Sequence, residues 1–166
     1  MSTVDSTRQM HRLYEGHHAW LASWLRKRLS CREQAADLAQ DTFVKVLLNN
    51  KAAELREPRA YLTSVARSLM IDMFRRRSIE QAYQEVLAAQ PERVVDSPET
   101  REIIIEALME VDRLLDSLGE RGRSIFIMAQ IEGLSLAEIA RQLNLSVNTV
   151  RKHFIRAMAQ CLMLLD

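Results

Sequence analysis

The stretch that most constrains this chain is Leu134–Met158, LSLAEIARQLNLSVNTVRKHFIRAM, which reads as two helices joined by a tight turn. Ser135 stands three residues before Glu138, the spacing of a capping box, so the first helix has a defined start. Leu136, Ile139, Ala140 and Leu143 then recur on one helical face. Asn144-Leu145-Ser146 breaks the pattern: Asn tolerates the left-handed conformation that ends a helix, and Ser146 can cap the next one. In the second helix Val147, Val150, Phe154 and Ala157 form the expected buried stripe. Asn148, Arg151, Lys152 and Arg156 are left outward. A helix of this kind fits the major groove of DNA, with Asn and Arg suited to base edges and Lys to phosphate. An ordinary helical hairpin with a solvated basic face is the competing reading. The agreement of caps, turn and polar set in one register favours the first.

At 166 residues, with 48% apolar residues and only 4 Gly and 3 Pro, the chain suits one or two small helical domains. No apolar run is long enough to span a bilayer, and MSTVDSTRQM has no signal-peptide core, so a cytoplasmic protein is expected. Cys31 and Cys161 are isolated, which suggests free thiols rather than a disulfide or zinc framework. His11, His17 and His18 lack an accompanying ligand set, so no metal is expected and packed or surface histidines are the simpler reading. The methionines sit at helical core positions and read as packing. The chain has no Gly-rich phosphate loop and no hydrolase or metalloprotease motif, so an enzyme is the least supported class.

The net charge of +1 conceals a division. Residues 1–79 carry 14 Lys/Arg against 8 Asp/Glu, a net of +6; residues 80–120 carry 3 against 11, a net of −8; residues 121–166 carry 6 against 3, a net of +3. Two basic ends flank an acidic middle, leaving two separate places that tolerate phosphate.

Helical periodicity predicts a first helix over about Thr7–Ser30, with Leu13, His17, Trp20, Leu21, Trp24 and Leu25 as its stripe. A second, about Gln34–Leu48, places Ala35, Leu38, Ala39, Phe43, Val46 and Leu47 on one face and Asp37, Asp41 and Lys45 on the other. Pro58 opens a third helix, which runs to about Ser78 and buries Leu62, Val65, Ala66, Leu69 and Met73. Residues 81–96 read as a linker, with room for a short helix at Gln81–Ala89. Ser97-Pro98-Glu99 is a strong helix start, and Gly119 and Gly133 read as helix stops. The helix from Ser97 to Gly119 is expected to bury Ile104, Ala107, Leu108, Val111, Leu114, Leu115 and Leu118. The expected fold is therefore all-α: two small helical domains, residues 1–80 and 97–166, joined by a flexible linker over 81–96. The second is a four-helix unit ending in the helix-turn-helix.

Three blocks in this order carry a resemblance: DLAQDTFVKVL (Asp37–Leu47), REPRAYLTSVARSLMIDMFRRR (Arg56–Arg77) and SLGERGRSIFIMAQIEGLSLAEIARQLNLSVNTVRKHFIRAM (Ser117–Met158). Together they resemble the extracytoplasmic-function sigma factors of bacterial RNA polymerase, over most of the chain. The resemblance implies, in turn, a grip on the coiled coil of the polymerase β′ subunit, melting and reading of the promoter −10 element, and binding of the −35 element. HHAWLASWL (His17–Leu25) and Glu57-Pro58-Arg59 are similar to the iron-starvation, or ferric-siderophore signalling, subgroup. That similarity implies iron-uptake target genes and a membrane-bound anti-sigma regulator. Two departures stand out: Ser68 replaces the family's usual Asn after Ala66-Arg67, and Tyr61 replaces its usual Trp.

On this reading the polymerase-binding residues are Asp37, Gln40 and Asp41, with Phe43 and Val44 as apolar anchors. Periodicity alone leaves a solvated helix face equally open. The −10 candidates are Arg59, Tyr61, Arg67, Arg75 and Arg76, with the loop Asn49–Glu57 as a pocket wall for a flipped base. The −35 candidates are Ser146, Asn148, Thr149, Arg151, Lys152 and Arg156, with Arg123 adding a phosphate contact. The expected partners are core RNA polymerase (β′ and β subunits), promoter DNA and the anti-sigma regulator. No cofactor or small-molecule ligand is expected, and the chain acts as a monomer within the holoenzyme. The alternatives are a one-component dimeric helix-turn-helix regulator and a helical adaptor that binds only protein.

Overall fold

A computed structural model describes residues 3–49, 55–92 and 95–163, and every regular element among them is an α-helix. The helices are α1 (Thr3–Arg26), α2 (Arg32–Leu48), α3 (Pro58–Ala88), α4 (Pro98–Ser117), α5 (Gly119–Gln130), α6 (Leu136–Leu143) and α7 (Val147–Leu162). Backbone contacts divide the chain into two compact units, Met1–Ser78 and Ile79–Asp166.

In the first unit the stripe of α1 buries Leu13, Leu21 and Leu25 against Ala35, Leu38, Ala39, Phe43 and Val46 of α2 and Leu62 and Ala66 of α3. Helix α1 ends at Arg26, four residues before the expected Ser30. Arg28 N–H bonds the Leu25 carbonyl at 2.9 Å, tightening the last turn, and Leu29 drops back into the core. The Arg28 guanidinium donates to the Trp24 carbonyl at 3.1 Å and lies 3.8 Å from the centre of that indole, covering an orphan acceptor of the helix end. Thr42 is wholly buried within α2, and its hydroxyl donates to the Leu38 carbonyl at 2.7 Å. Leu47, expected inside, is 46% exposed.

The second unit gathers α4–α7 and the last turns of α3. Ser97 accepts the Thr100 amide at 3.1 Å as N-cap of α4, with Pro98 at its first position. Gly119 (φ 73) and Gly133 (φ 70) take the left-handed conformation at the α4–α5 and α5–α6 junctions. Ile125, Ile139, Ala140 and Val150 form the core of the helix-turn-helix, with Leu136, Leu143, Leu145 and Phe154 packed on it.

Two expectations are corrected here. Helix α3 does not stop near Ser78 but continues to Ala88, so half of the stretch assigned to a linker is helical; residues 93–94 of that stretch lie outside the described residues. The buried stripe of α4 is carried by Ile105 and Met109, not by Ala107, Leu108 and Val111, which are exposed. The two corrections are connected. Ile104, Leu108, Val111 and Leu115 line one side of an apolar groove of about 490 Å³, and Ile79, Ala82, Tyr83 and Val86 of the prolonged α3 line the other.

Candidate nucleic-acid and polymerase interfaces

The most orderly of these faces is built on α7. Asn144, at φ 55 and ψ 46, is the only non-glycine residue with positive φ among the described residues. Its amide bonds the Arg141 carbonyl at 3.4 Å, and the Leu145 amide bonds that of Ala140 at 2.9 Å, the two bonds of a Schellman turn. Ahead of it, Ser135 accepts the Glu138 amide at 3.2 Å, and the Glu138 carboxylate accepts the Ser135 amide at 2.7 Å. These bonds to the Ser135 backbone and hydroxyl hold the Glu138 carboxyl below its ordinary value. Beyond the turn, the Ser146 hydroxyl accepts the Thr149 amide at 3.1 Å and starts α7.

Val150 and Ala157 fix the buried side of α7, leaving Asn148, Arg151, Lys152 and Arg156 exposed. The Arg151 guanidinium donates to the Asn148 side-chain oxygen at 3.4 Å, so two groups suited to base edges are already linked. Ser146 is exposed but its hydroxyl is committed to the cap, and Thr149 is half-buried beside it. Val147, expected inside, is 39% exposed. Arg123 is placed differently from expectation. It contacts Asp116 at 2.5 Å and Asp112 at 3.6 Å, so its charge ties α5 to α4 instead of standing open to phosphate.

On α3, Arg59, Thr63, Arg67, Ile71 and Arg75 recur every four residues and line one shallow groove of about 750 Å³ together with Ser64, Ser68 and Asp72. The Arg59 guanidinium lies 5.0 Å from the centre of the Trp20 ring, which fixes its stem. Arg75 approaches Asp72 at 4.0 Å with only 17% of its side chain exposed. Ser68, the departure from the family pattern, lines this groove. Tyr61 does not, since it packs on the core formed with α1 and α2. Arg76 is half-buried and lies outside the groove as well. Two residues after Arg59 the helix has turned through about 200°, which carries Tyr61 to the other side. Residues 50–54 of the expected pocket-wall loop lie outside the described residues.

On α2, Asp37, Gln40, Asp41 and Val44 share an exposed stripe. Phe43 is removed from it. It is 3% exposed, with its ring edge-on to Tyr14 at 5.0 Å, and supports the stripe from beneath. The apolar part of that face is Val44 with Leu47 and Leu48, the last 77% exposed. Sequence reasoning missed Leu48, although its spacing from Asp37, Asp41 and Val44 carries the signal.

His18 packs between α1 and α2, its ring 4.6 Å from that of Tyr14 and 6.1 Å from that of Phe43, and His17 is half-buried. No helix among the described residues is long and apolar enough to cross a membrane.

These three faces fall within recognised sequence blocks. Residues 13–79 match Sigma-70 region 2, and residues 108–161 match Sigma-70, region 4. The chain is 39% identical over 162 residues, 98% of its length and 94% of the relative's, to the ferric citrate uptake sigma factor FecI of Escherichia coli (strain K12). It is 30% identical over 153 residues, 87% of its length and 85% of the relative's, to the RNA polymerase sigma factor YlaC of Bacillus subtilis (strain 168). A chain of a solved RsbN–BldN complex aligns at 18% identity and a TM-score of 0.35 over 93% of this chain and 90% of that one, too distant a likeness to argue from. The chain belongs to the sigma-70 family, as an extracytoplasmic-function sigma factor. It binds core RNA polymerase, recognises −35 and −10 promoter elements and initiates transcription.

Proposed function

We propose that this sigma factor directs polymerase to promoters of iron–siderophore uptake genes. The observation that carries this reading is the 39% identity, along nearly the whole of both chains, to a ferric citrate uptake sigma factor. In this reading α7 reads the −35 element with Asn148, Arg151, Lys152 and Arg156, while the α3 groove holds the displaced −10 strand with Arg59, Arg67 and Arg75. The α2 stripe of Asp37, Gln40, Asp41 and Val44 docks on the β′ coiled coil, and the second unit meets the β subunit. A rim of charges sets register and association rate there, and exposed Val44 and Leu48 supply the anchor that Phe43 does not. The chain works as a cytoplasmic monomer within the holoenzyme, catalyses nothing itself, takes no small-molecule ligand, and is restrained by a membrane-bound anti-sigma regulator.

The test is in vitro transcription with purified core polymerase on iron-uptake promoters. Transcripts from those promoters should depend on adding this chain. Initiation confined to unrelated promoters would remove the iron assignment. Tight operator binding by a dimer that ignores core polymerase would favour the one-component regulator instead.

A further inference from the structure

Ile155 is 58% exposed and sits among the polar residues of α7, on the side opposite Val150 and Ala157. At 3.6 residues per turn it projects within about 20° of Asn148, with Arg151 flanking it on one side and Lys152 on the other. The middle of the outward face is therefore aliphatic, bracketed by groups that bond base edges and phosphate. The side chain is not among those packed in the helix-turn-helix core of Ile125, Ile139, Ala140 and Val150. Being β-branched, it is held near one rotamer in a helix, so ordering it against a ligand costs little entropy. An aliphatic group on a groove-entering face has one chemical counterpart among base edges, the 5-methyl group of thymine.

We propose that Ile155 is a specificity residue of the −35 contact, packing on the 5-methyl group of one thymine next to the base pair met by Arg151 and Asn148. The inference rests on the reading of α7 as the −35 helix and deepens it. Arg151 and Asn148 set hydrogen-bond identity, and Ile155 separates thymine from the other bases by shape and desolvation.

The test removes the methyl group alone. Promoter fragments are first selected by the wild-type holoenzyme from a pool with a randomised −35 element. Each −35 thymine on either strand is then replaced singly by deoxyuridine, and holoenzyme affinity is measured by competition. Loss of one buried methyl is expected to weaken wild-type binding about fourfold at one position. Ile155→Ala should lose about the same on the parent fragment and be indifferent to deoxyuridine there, whereas Ile155→Val should keep the sensitivity. Because Ile155 is exposed, helicity and melting of Ile155→Ala should match the wild type. Wild-type binding that ignores removal of every −35 methyl overturns the proposal, as does an Ile155→Ala loss that simply adds to the methyl loss. If scrambling the −35 element and Arg151→Ala are also without effect, the assignment of α7 falls with it; if those effects persist, only the role of Ile155 falls.

Discussion

At the scale of single residues, a side chain's value depends on what already holds it. Arg151 keeps its donors near the outward surface, bonded to the Asn148 side-chain oxygen at 3.4 Å, and that bond is long enough to exchange for a base. Arg151→Ala is expected to cost roughly 1–3 kcal/mol of −35 binding and to relax preference at one base pair. Promoters with a scrambled −35 element should be little affected, and equal loss on both kinds of promoter would contradict the assignment. Arg123 is the opposite case, since two α4 carboxylates already engage it. Arg123→Ala should lower the stability of the full chain by less than about 1 kcal/mol, because the pair is partly exposed. It should leave the salt dependence of promoter binding unchanged; a slope reduced by one phosphate contact would restore it as a DNA ligand. The sequence makes cap residues such as Ser135, Asn144 and Ser146 legible because their bonds close within five residues. It hides the fate of Arg123, which is decided by Asp112 and Asp116 on another helix.

At the scale of elements, punctuation decided what was readable. Helices α4, α6 and α7 each begin at a serine whose hydroxyl accepts an amide three residues on, and each start was visible in the sequence. The end of α3 was not, since Ile79–Ala88 carries neither Gly nor Pro, and its apolar residues gain a partner only once α4 lies beside them. The same absence rotated the buried stripe expected of α4. The two caps of α6 give two kinds of test, the first by substitution. Ser135→Ala should destabilise the chain by about 1 kcal/mol, and Asn144→Ala by a similar amount through left-handed strain that Asn144→Gly avoids. The second test is pH. Glu138 has its carboxyl lowered in the folded chain, first by the Ser135 amide and then by the Ser135 hydroxyl. Its stabilising contribution is therefore complete above the ordinary value of 4.5 and disappears as pH falls through the depressed folded value. The stability gap between wild type and Glu138→Gln, measured by denaturant unfolding, should be constant near neutrality and close in acid. A gap that widened in acid would show that the carboxylate is not the stabilising form.

For the whole molecule, charge distribution matters more than total charge. A chain with net charge +1 would be a weak ligand for DNA if its charges were mixed evenly, yet residues 1–79 carry +6 and residues 80–120 carry −8. The basic groups include the α3 groove and the outward face of α7, and the acidic ones run through the end of α3 and α4. This division was legible from the sequence because charge is a property of composition. The faces that present it needed helix register fixed by packing. The acidic segment is expected to repel the phosphate backbone and suppress binding of the free chain to random duplex, while the holoenzyme supplies further contacts at promoters. Replacing Glu80, Glu85 and Glu92 with Gln raises the formal net charge from +1 to +4. Binding of the free chain to random duplex at low salt, followed by fluorescence anisotropy, should then strengthen severalfold. The gain should fade as the Debye length shrinks from about 30 Å at 0.01 M toward about 8 Å at physiological salt. Unchanged low-salt affinity would show that the acidic segment is too well screened, or too far from the basic faces, to guard them.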